Sequence, residues 1–358
     1  MDHFIVIKLE KLKASKKKSD FFSCSILFFA LLFFIASCNT THTPDISNIQ
    51  VELKLNRFDK DLFSLTDSGY NVQIDSLLKK YPILFPFYFR EIGGWNIAAD
   101  SGTAWKDSIW NYVQSSYSQA LYDSTLLRFN DLSDFEKELQ QAFRYYKFYF
   151  PQALIPEVNT LINAPPAFTV GNEVLCISLD KYLGPSSAFY LYETEPIPNY
   201  LLRRFKPEFM VSNCMHVMAT ANFEFSMSGK KLLDAMIYNG KILFLKQQVL
   251  PLSADSVISG FQAIDLEWCV DNEPEIWKFF IEKKLLYNPD PLEFSKYVTE
   301  GPSTSGMPQA SPGNIGSWVG WRIVEAYMKK NPWVTLQQLM EEQDAQKILT
   351  ASKYKPTR

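Results

Sequence analysis

Residues 158–179 read VNTLINAPPAFTVGNEVLCISL, and this stretch decides the fold class. Two β-rich segments within it are joined by Gly171-Asn172, a pattern that predicts a β-hairpin. The Pro165-Pro166 pair excludes a helix at that point. Helical periodicity dominates on both sides of the stretch. The sequence therefore predicts an α+β fold that is mostly helical, with a small β-sheet packed against helices.

Helical periodicity before this stretch covers residues 71–146, with an interruption at 81–94 where two prolines and a Gly-Gly pair occur. Ser133 and Glu136 predict a capping box. The helix that follows has apolar residues at three- and four-residue steps: Phe135, Leu139, Phe143, Tyr146 and Phe150. Residues 49–56 alternate between apolar and polar side chains, which predicts a strand at the start of the fold.

After the stretch, helices are predicted at 208–225, 231–248, 254–287 and 315–330, the third with a break near 272–274. A loop rich in glycine, serine and proline covers residues 300–317. No internal repeat is present in the sequence. These helices supply most of the apolar surface that the small sheet needs for a core.

The first 37 residues have the organisation of a lipoprotein leader. Six lysines precede residue 19, residues 21–36 carry no charge, and Ile35-Ala36-Ser37-Cys38 resembles a bacterial lipobox. The apolar stretch is shorter than the roughly 20 residues that a membrane-spanning helix needs, which favours a signal peptide over a transmembrane anchor. We predict a signal peptide at 1–37, a polar tether at 38–48 that begins with a lipid-modified, palmitate-bearing Cys38, and a single domain at 49–358.

Charge and cysteine content exclude two classes of protein. The chain has 36 basic and 39 acidic residues, and six of the basic ones lie in the leader, so no basic face remains to bind nucleic acid. Cys176, Cys214 and Cys269 each lie among apolar residues. We predict that they are small buried hydrophobic residues, with one disulfide among them as the alternative, so the domain is not a disulfide scaffold.

Five separated motifs resemble those of one family. They are Asn56-Arg57-Phe58-Asp59-Lys60-Asp61-Leu62-Phe63, the apolar helix with His216, Leu232-Leu233-Asp234-Ala235-Met236, the run from Gly313 through Trp318-Val319-Gly320-Trp321-Arg322-Ile323-Val324, and Ser352-Lys353-Tyr354-Lys355-Pro356. In this order they resemble the GldB lipoproteins of gliding Bacteroidota. The resemblance implies a role in gliding motility, a link to the associated protein-secretion machinery, and partners among other envelope or gliding-machinery proteins.

The family is more distantly similar to predicted zinc metallopeptidases of the zincin type, which implies a zincin-like scaffold. A zincin carries His-Glu-x-x-His on one helix, where both histidines reach one zinc ion and the glutamate is the general base. The matching segment here is His216-Val217-Met218-Ala219-Thr220, and Asn239-Gly240 stands where such peptidases have Glu-Gly.

Only one chemical position of that site is retained. Val217 cannot accept a proton from water, and no second imidazole or carboxylate stands near His216. We predict a degenerate metal site at His216, Val217, Thr220 and Asn239, with no metal, no cofactor and no catalytic residue. His216 itself is predicted to be a core histidine with hydrogen-bonded nitrogens, with a relict binding role as the alternative.

Two functions follow from different readings of this site. The first is a pseudoenzyme, anchored to the membrane by its lipid, that supports motility by binding or as a structural part of the envelope. The alternative is an active zinc-dependent envelope peptidase with an unorthodox site. A weaker third hypothesis is a carbohydrate or peptide binder with an aromatic cleft at Trp318 and Trp321. Because no acidic run follows Cys38, we favour the outer membrane and its periplasmic face.

Overall fold

A computed structural model describes residues 43–97, 102–192 and 195–356. The predicted signal peptide and Cys38 lie outside the described residues. The chain divides into two units, Met1–Asp45 and Ile46–Arg358, and the second contains the helices and strands of the described residues. Within the described ranges, no helix combines the length and the apolar character needed to cross a membrane.

The described residues form a four-stranded mixed sheet with the order β1-β2-β4-β3. The parallel pairs are β1 with β2 and β2 with β4, whereas β3 and β4 are antiparallel. Gly171 (φ 59°) lies in the turn between β3 and β4, where a left-handed backbone suits glycine, so the predicted hairpin is confirmed. The strands are β1 (Leu55–Arg57), β2 (Glu157–Leu161), β3 (Ala167–Val170) and β4 (Val174–Ser178).

The predicted strand at 49–56 is shorter than expected. Only its end forms β1, although the alternation of half-buried and exposed side chains continues through residues 49–54. Side chains of the helix over residues 133–149 take the place of a partner strand there. Arg144 donates from Nε to the Ile49 carbonyl (2.9 Å) and from Nη2 to the Ile46 carbonyl (2.8 Å), and Gln140 donates to the Val51 carbonyl (2.9 Å).

In the described part of the chain, six helices and one π-helical turn precede β2. They are α1 (Phe58–Phe63), α2 (Tyr70–Lys80), α3 (Leu84–Phe87), the π-turn Tyr88–Ile92, α4 (Ala104–Gln114), α5 (Ser116–Phe129) and α6 (Ser133–Tyr149). Helix α3 forms inside the predicted interruption because Pro86 is its third residue, where the backbone needs no N–H donor.

The amphipathic character of α6 is confirmed, because all five predicted apolar positions are at most 7% exposed. The prediction of a capping box at the start of α6 is wrong. Leu132 is the N-cap of α6, and the backbone N–H of Ser133 donates instead to the Asp131 carboxylate (2.9 Å). The aspartate two residues earlier therefore accepts from the N–H that the Glu136 side chain would accept from in a capping box.

Ten helices of the described residues follow β4. They are α7 (Asn199–Leu202), α8 (Met210–Asn222), α9 (Leu232–Val249), α10 (Asp255–Ser259), α11 (Ala263–Asp271), α12 (Glu273–Glu282), α13 (Pro291–Val298), α14 (Ile315–Lys330), α15 (Leu336–Glu341) and α16 (Ala345–Ser352), with 3-10 turns at Leu179–Tyr182, Ala188–Tyr192 and Pro207–Phe209. The predicted helices α8, α9 and α14 are confirmed. The segment 254–287 has a second break, at Gly260, whose φ of 78° ends α10.

The sheet separates two hydrophobic clusters. Leu175 and Ile177 of β4 point into the larger cluster, which includes α6, α8, α9 and α14. Val174 and Cys176 point into the smaller one, with α1 to α4. This alternation along β4 follows from the two-residue period of a strand. The fold is thus α+β and mostly helical, as predicted.

Helices α9 and α14 cross in backbone contact. A Cβ atom on Gly320 would lie 1.8 Å from the carbonyl oxygen of Met236, and one on Gly240 would lie 2.2 Å from the carbonyl carbon of Gly320. Only glycine fits at either position. The crossing brings Asn239 of α9 against Ser317 of α14, with Nδ2 2.7 Å from Oγ.

The three cysteines of the domain are buried and free. Burial raises the pKa of each thiol, to about 12 for Cys269 and further for Cys176 and Cys214. The prediction of buried hydrophobic cysteines is confirmed, and the disulfide alternative is wrong.

Candidate functional site

His216 lies on α8 and faces a cleft of about 440 Å³. The cleft is bounded by α8, α9, the end of α13 and the loop before α14. Two cationic side chains, Arg204 and Lys246, line it together with Glu300 from that loop. Its apolar wall includes Ile242, Leu243, Val257 and Val298.

Three of the four predicted degenerate positions meet in this cleft: His216, Thr220 and Asn239. The fourth, Val217, is half-buried and packs against the larger hydrophobic cluster. Thr220 donates its hydroxyl to the His216 carbonyl (3.1 Å), and Asn239 donates Nδ2 to the Val298 carbonyl (3.2 Å) and to Ser317. The Thr220 bond is internal to α8, whereas Asn239 joins α9 to α13 and α14 and so holds two walls of the cleft together.

The prediction that His216 is a hydrogen-bonded core histidine is wrong. Its side chain is exposed to the cleft, and in the described part of the chain the imidazole has no hydrogen-bond partner. Cys214 and Met218, two positions away on either side, point into the core. The apolar residues that suggested a helix buried on all sides thus cover only part of α8.

The imidazole of His216 is neutral at pH 7. Burial by the cleft walls is the main cause that lowers its pKa below 6.5, and the positive charges of Lys246 and Arg204 add to this. Because the ring is solvent-accessible, water in the cleft offsets part of the burial cost. The direction of the shift follows from both causes.

Lys246 is a buried cation that no motif in the sequence indicates. It lies on α9, is 5% exposed and donates Nζ to the Ile258 carbonyl at the end of α10. Burial is the main cause that lowers its pKa to about 7; the charge of Arg204 lowers it further and Glu300 opposes both. Lys246 lies within an apolar helical pattern, and that pattern does not predict that its ammonium faces a cleft.

Arg204 brings a second cation to the same cleft. Its Nη2 lies 2.5 Å from Oε2 of Glu300 as an ion pair. Nε and Nη2 are buried, and within the described residues neither makes a well-aligned hydrogen bond. Gly260 admits the guanidinium, because a Cβ there would lie 2.7 Å from Nη1.

Glu300 is held from the other side by Asn314, whose Nδ2 donates to Oε1 (3.1 Å). Arg204, Lys246 and Glu300 come from three segments far apart in sequence, and each is an ordinary polar residue in its local context. Only the tertiary fold identifies them as neighbours.

The residues of the cleft do not fit a zinc ion. Among its lining residues only His216 and Glu300 are ordinary zinc ligands, and the Glu300 carboxylate is already paired with Arg204 and Asn314. Across residues 43–97, 102–192 and 195–356, no group of three His, Cys, Asp or Glu side chains is placed to hold a metal. Arg204 and Lys246 also repel a divalent cation.

A second cleft of about 440 Å³ is lined by Lys230, Asp234 and Lys241. There the Lys241 ammonium donates to the carbonyls of Met340 (3.0 Å) and Glu342 (2.9 Å) at the end of α15. Its donors are used in a structural contact, unlike those of Arg204. The His216 cleft is therefore the stronger candidate.

The hypothesis of an aromatic cleft at Trp318 and Trp321 is wrong. The two side chains are 2% and 3% exposed and belong to the larger hydrophobic cluster. Trp321 donates a hydrogen bond from Nε1 to Oε1 of Gln247 (3.4 Å). Their place in the core follows from the close approach of α14 to α9.

Comparison with known families gives a match over residues 39–356, to the family described as gliding motility protein GldB. The chain belongs to the GldB family. Family membership gives it a role in gliding motility and identifies it as a lipoprotein of the cell envelope. The GldB match spans the sheet, the crossing of α9 and α14 and the whole cationic cleft. No curated protein and no solved structure matches the chain.

Proposed function

We propose that this protein supports gliding motility as a non-enzymatic, lipid-anchored part of the envelope machinery, and that it acts through contacts with other components. The family match carries the motility role. The cleft carries the non-enzymatic part of the proposal. The positions that would carry the glutamate and the second histidine of a zincin are Val217 and Thr220, the Glu300 carboxylate is paired with Arg204, and the two cations disfavour a metal ion.

The proposal includes a common origin of the cleft with the zincin site. A β-hairpin, a helix with His216 and a crossing helix with Asn239 at the cleft follow one another in the order that such a scaffold has. In this view Thr220 and Asn239 replace metal ligands and now serve as structural hydrogen-bond donors. The scaffold was retained after its chemistry was lost.

The location is part of the same proposal. The lipobox-like sequence before Cys38 supports cleavage of residues 1–37 and acylation of that cysteine. Several acyl chains hold a protein firmly at a membrane. The polar residues after Cys38 favour the periplasmic face of the outer membrane, close to other gliding and secretion components.

The first prediction tests the non-enzymatic role with His216→Ala, and with Thr220→Ala as a neighbour in the same cleft. We expect purified wild-type protein to contain far less than one zinc per chain, and cells with either variant to spread like wild type. Elemental analysis of the protein and colony spreading are the two measurements.

Stoichiometric zinc in the wild-type protein, lost in His216→Ala together with motility, would instead establish the metallopeptidase alternative. The neutral imidazole that faces the cleft is the one observation in favour of that alternative. Equal amounts of both variants in the envelope must be shown by immunoblot, so that a loss of motility is not a loss of protein.

A further inference from the structure

The guanidinium of Arg204 is short of partners. A guanidinium has five N–H donors, and buried polar groups are nearly always hydrogen-bonded, so each exception requires an explanation. Here Nε and Nη2 are buried without a well-aligned acceptor in the described part of the chain. The ion pair with Glu300 supplies a counter-charge, and the Arg204 side chain, which is 19% exposed, lines the cleft.

The ammonium of Lys246 has a similar deficit. It is 5% exposed, and within the described ranges it donates only to the Ile258 carbonyl. No carboxylate pairs with it directly among those residues; the charged and titratable side chains that face it are Arg204, Glu300 and the neutral His216. A buried ammonium without a counter-charge is costly.

The charges of the cleft define what would complete it. Arg204 and protonated Lys246 carry two positive charges, and Glu300 carries one negative charge, so a single negative charge remains to be supplied. A dianion such as phosphate would bring excess charge close to Glu300. A carboxylate matches both the charge and the planar, two-donor edge of a guanidinium.

The shape of the cleft adds an apolar contact. Ile242, Leu243, Val257 and Val298 line the cleft together with the charged groups. A volume of about 440 Å³ is within the range of small-ligand pockets and suits a few carbon atoms attached to a carboxylate. The nearby Nδ2 of Asn239 is used internally, whereas its Oδ1 accepts no hydrogen bond from the residues that the structure describes.

We propose that this cleft is a binding site for a monoanionic carboxylate with a small apolar group, seated on Arg204 and Lys246. The source is a free short-chain acid or the carboxyl terminus of a peptide. The inference deepens the proposed function, since it names the ligand class of a cleft that has no metal chemistry. It leaves His216 outside the set of ligand-binding residues.

The test uses the full-length mature lipoprotein in a non-ionic detergent and isothermal titration calorimetry. The probes are pentanoate, an acetylated Ala-Val dipeptide with a free carboxylate, the same dipeptide as its amide, and inorganic phosphate. We expect a carboxylate probe to bind and the amide and phosphate to bind at least tenfold more weakly. Binding of the dipeptide over pentanoate identifies a peptide terminus, and the reverse identifies a free acid.

Substitution of the two cationic residues tests whether they bind the carboxylate. Arg204→Gln and Lys246→Met each remove a charge-assisted hydrogen bond and should weaken carboxylate binding at least tenfold. Arg203→Gln is the matched control, because Arg203 is adjacent, similarly exposed (25% against 19%) and paired with Asp265. It should change affinity less than twofold.

Protonation gives a second readout. A carboxylate beside Lys246 favours its charged form, so binding at pH 8 should take up protons and the measured heat should differ between Tris and phosphate-free HEPES buffers. The difference should vanish in Lys246→Met. No carboxylate binding, tighter binding of phosphate, or unchanged affinity in both variants would overturn the proposal, while normal spreading and zinc-free protein would still support the motility role.

Discussion

At the scale of single residues, Lys246 shows how burial changes the chemistry of a common side chain. The same ammonium that would be a surface charge elsewhere is 5% exposed here and loses most of its hydration. Its only direct partner among the described residues is the Ile258 carbonyl. The folded state therefore holds this proton less tightly than the unfolded chain does.

That difference predicts a pH dependence of stability. The pKa of Lys246 is 10.5 in a solvated chain and about 7 in the fold. Between these values the unfolded chain binds a proton that the folded protein lacks, so the free energy of unfolding rises with pH from about 7 towards 10. We expect the melting temperature of Lys246→Met to rise less than that of wild type between pH 7 and pH 9.

Thermal denaturation followed by circular dichroism gives the two slopes. Lys278→Met is the control, because Lys278 is 60% exposed and pairs only with Glu282 among the described residues. It should retain the wild-type slope. Lys241, whose pKa burial lowers to about 8, contributes equally to all three proteins. Equal slopes for wild type and Lys246→Met would show that Lys246 does not titrate in this range.

The sequence predicted only part of the site, and the difference between His216 and the Arg204–Glu300 pair shows why. His216 was found by its place in a family motif, but the local apolar pattern suggested that it was buried in the core. Arg204 and Glu300 carry no motif, and their pairing depends on a contact across almost one hundred residues. Spacing along a helix is visible in a sequence, whereas a charge contributed by a distant loop is not.

At the scale of elements, the crossing of α9 and α14 fixes the cleft. Gly240 and Gly320 let the two backbones touch, and the Asn239 side chain next to this contact bridges to Ser317. Both helices were predicted from periodicity with nearly correct ends. The crossing itself was not predicted, because a glycine within a helical pattern does not say which helix it faces.

The backbone contact between α9 and α14 predicts that Gly320→Ala destabilises the fold. The added methyl group would lie 1.8 Å from the Met236 carbonyl oxygen, so the helices must separate and the interior on both sides repacks. We expect a loss of about 3 kcal/mol or more in the free energy of unfolding, measured by guanidinium denaturation.

Gly301→Ala is the matched control, since its Cβ would meet only the Ser303 carbonyl oxygen at 3.6 Å. That variant should lie within about 0.5 kcal/mol of wild type. A Gly320→Ala protein as stable as the control would mean that the two helices are not in backbone contact.

At the scale of the whole molecule, the small sheet joins two hydrophobic clusters. The hairpin that forms half of it was evident in the sequence, because its turn and its alternation are local. The parallel pairing of β2 with β1 and β4 joins residues about 17 to 100 positions apart, and no local pattern encodes it. Because β4 contributes to both clusters, neither should lose its packing alone.

The cysteines test this cooperativity. Cys176 reports on the smaller cluster, and Cys214 and Cys269 report on the larger one. All three are buried with raised pKa values, so we expect no maleimide labelling of the native protein at pH 7.5. In increasing guanidinium they should become reactive together, as read by peptide mass mapping.

Labelling of Cys176 at a lower denaturant concentration than Cys214 would show that the α1 to α4 side opens by itself. Circular dichroism on the same samples provides the control for global unfolding. A disulfide between any two of these residues in the native protein would contradict the free thiols directly.

Arg144 gives the fold a mechanical property. By holding the carbonyls of Ile46 and Ile49, it fastens the beginning of the domain to α6 rather than to the edge of the sheet. Tension applied to the chain ahead of Ile46 would therefore load the contacts of Arg144, on a 17-residue helix whose apolar face is buried, before it reaches β1. A pull at this point would have to break the side-chain bonds of one helical arginine before it could separate β1 from β2.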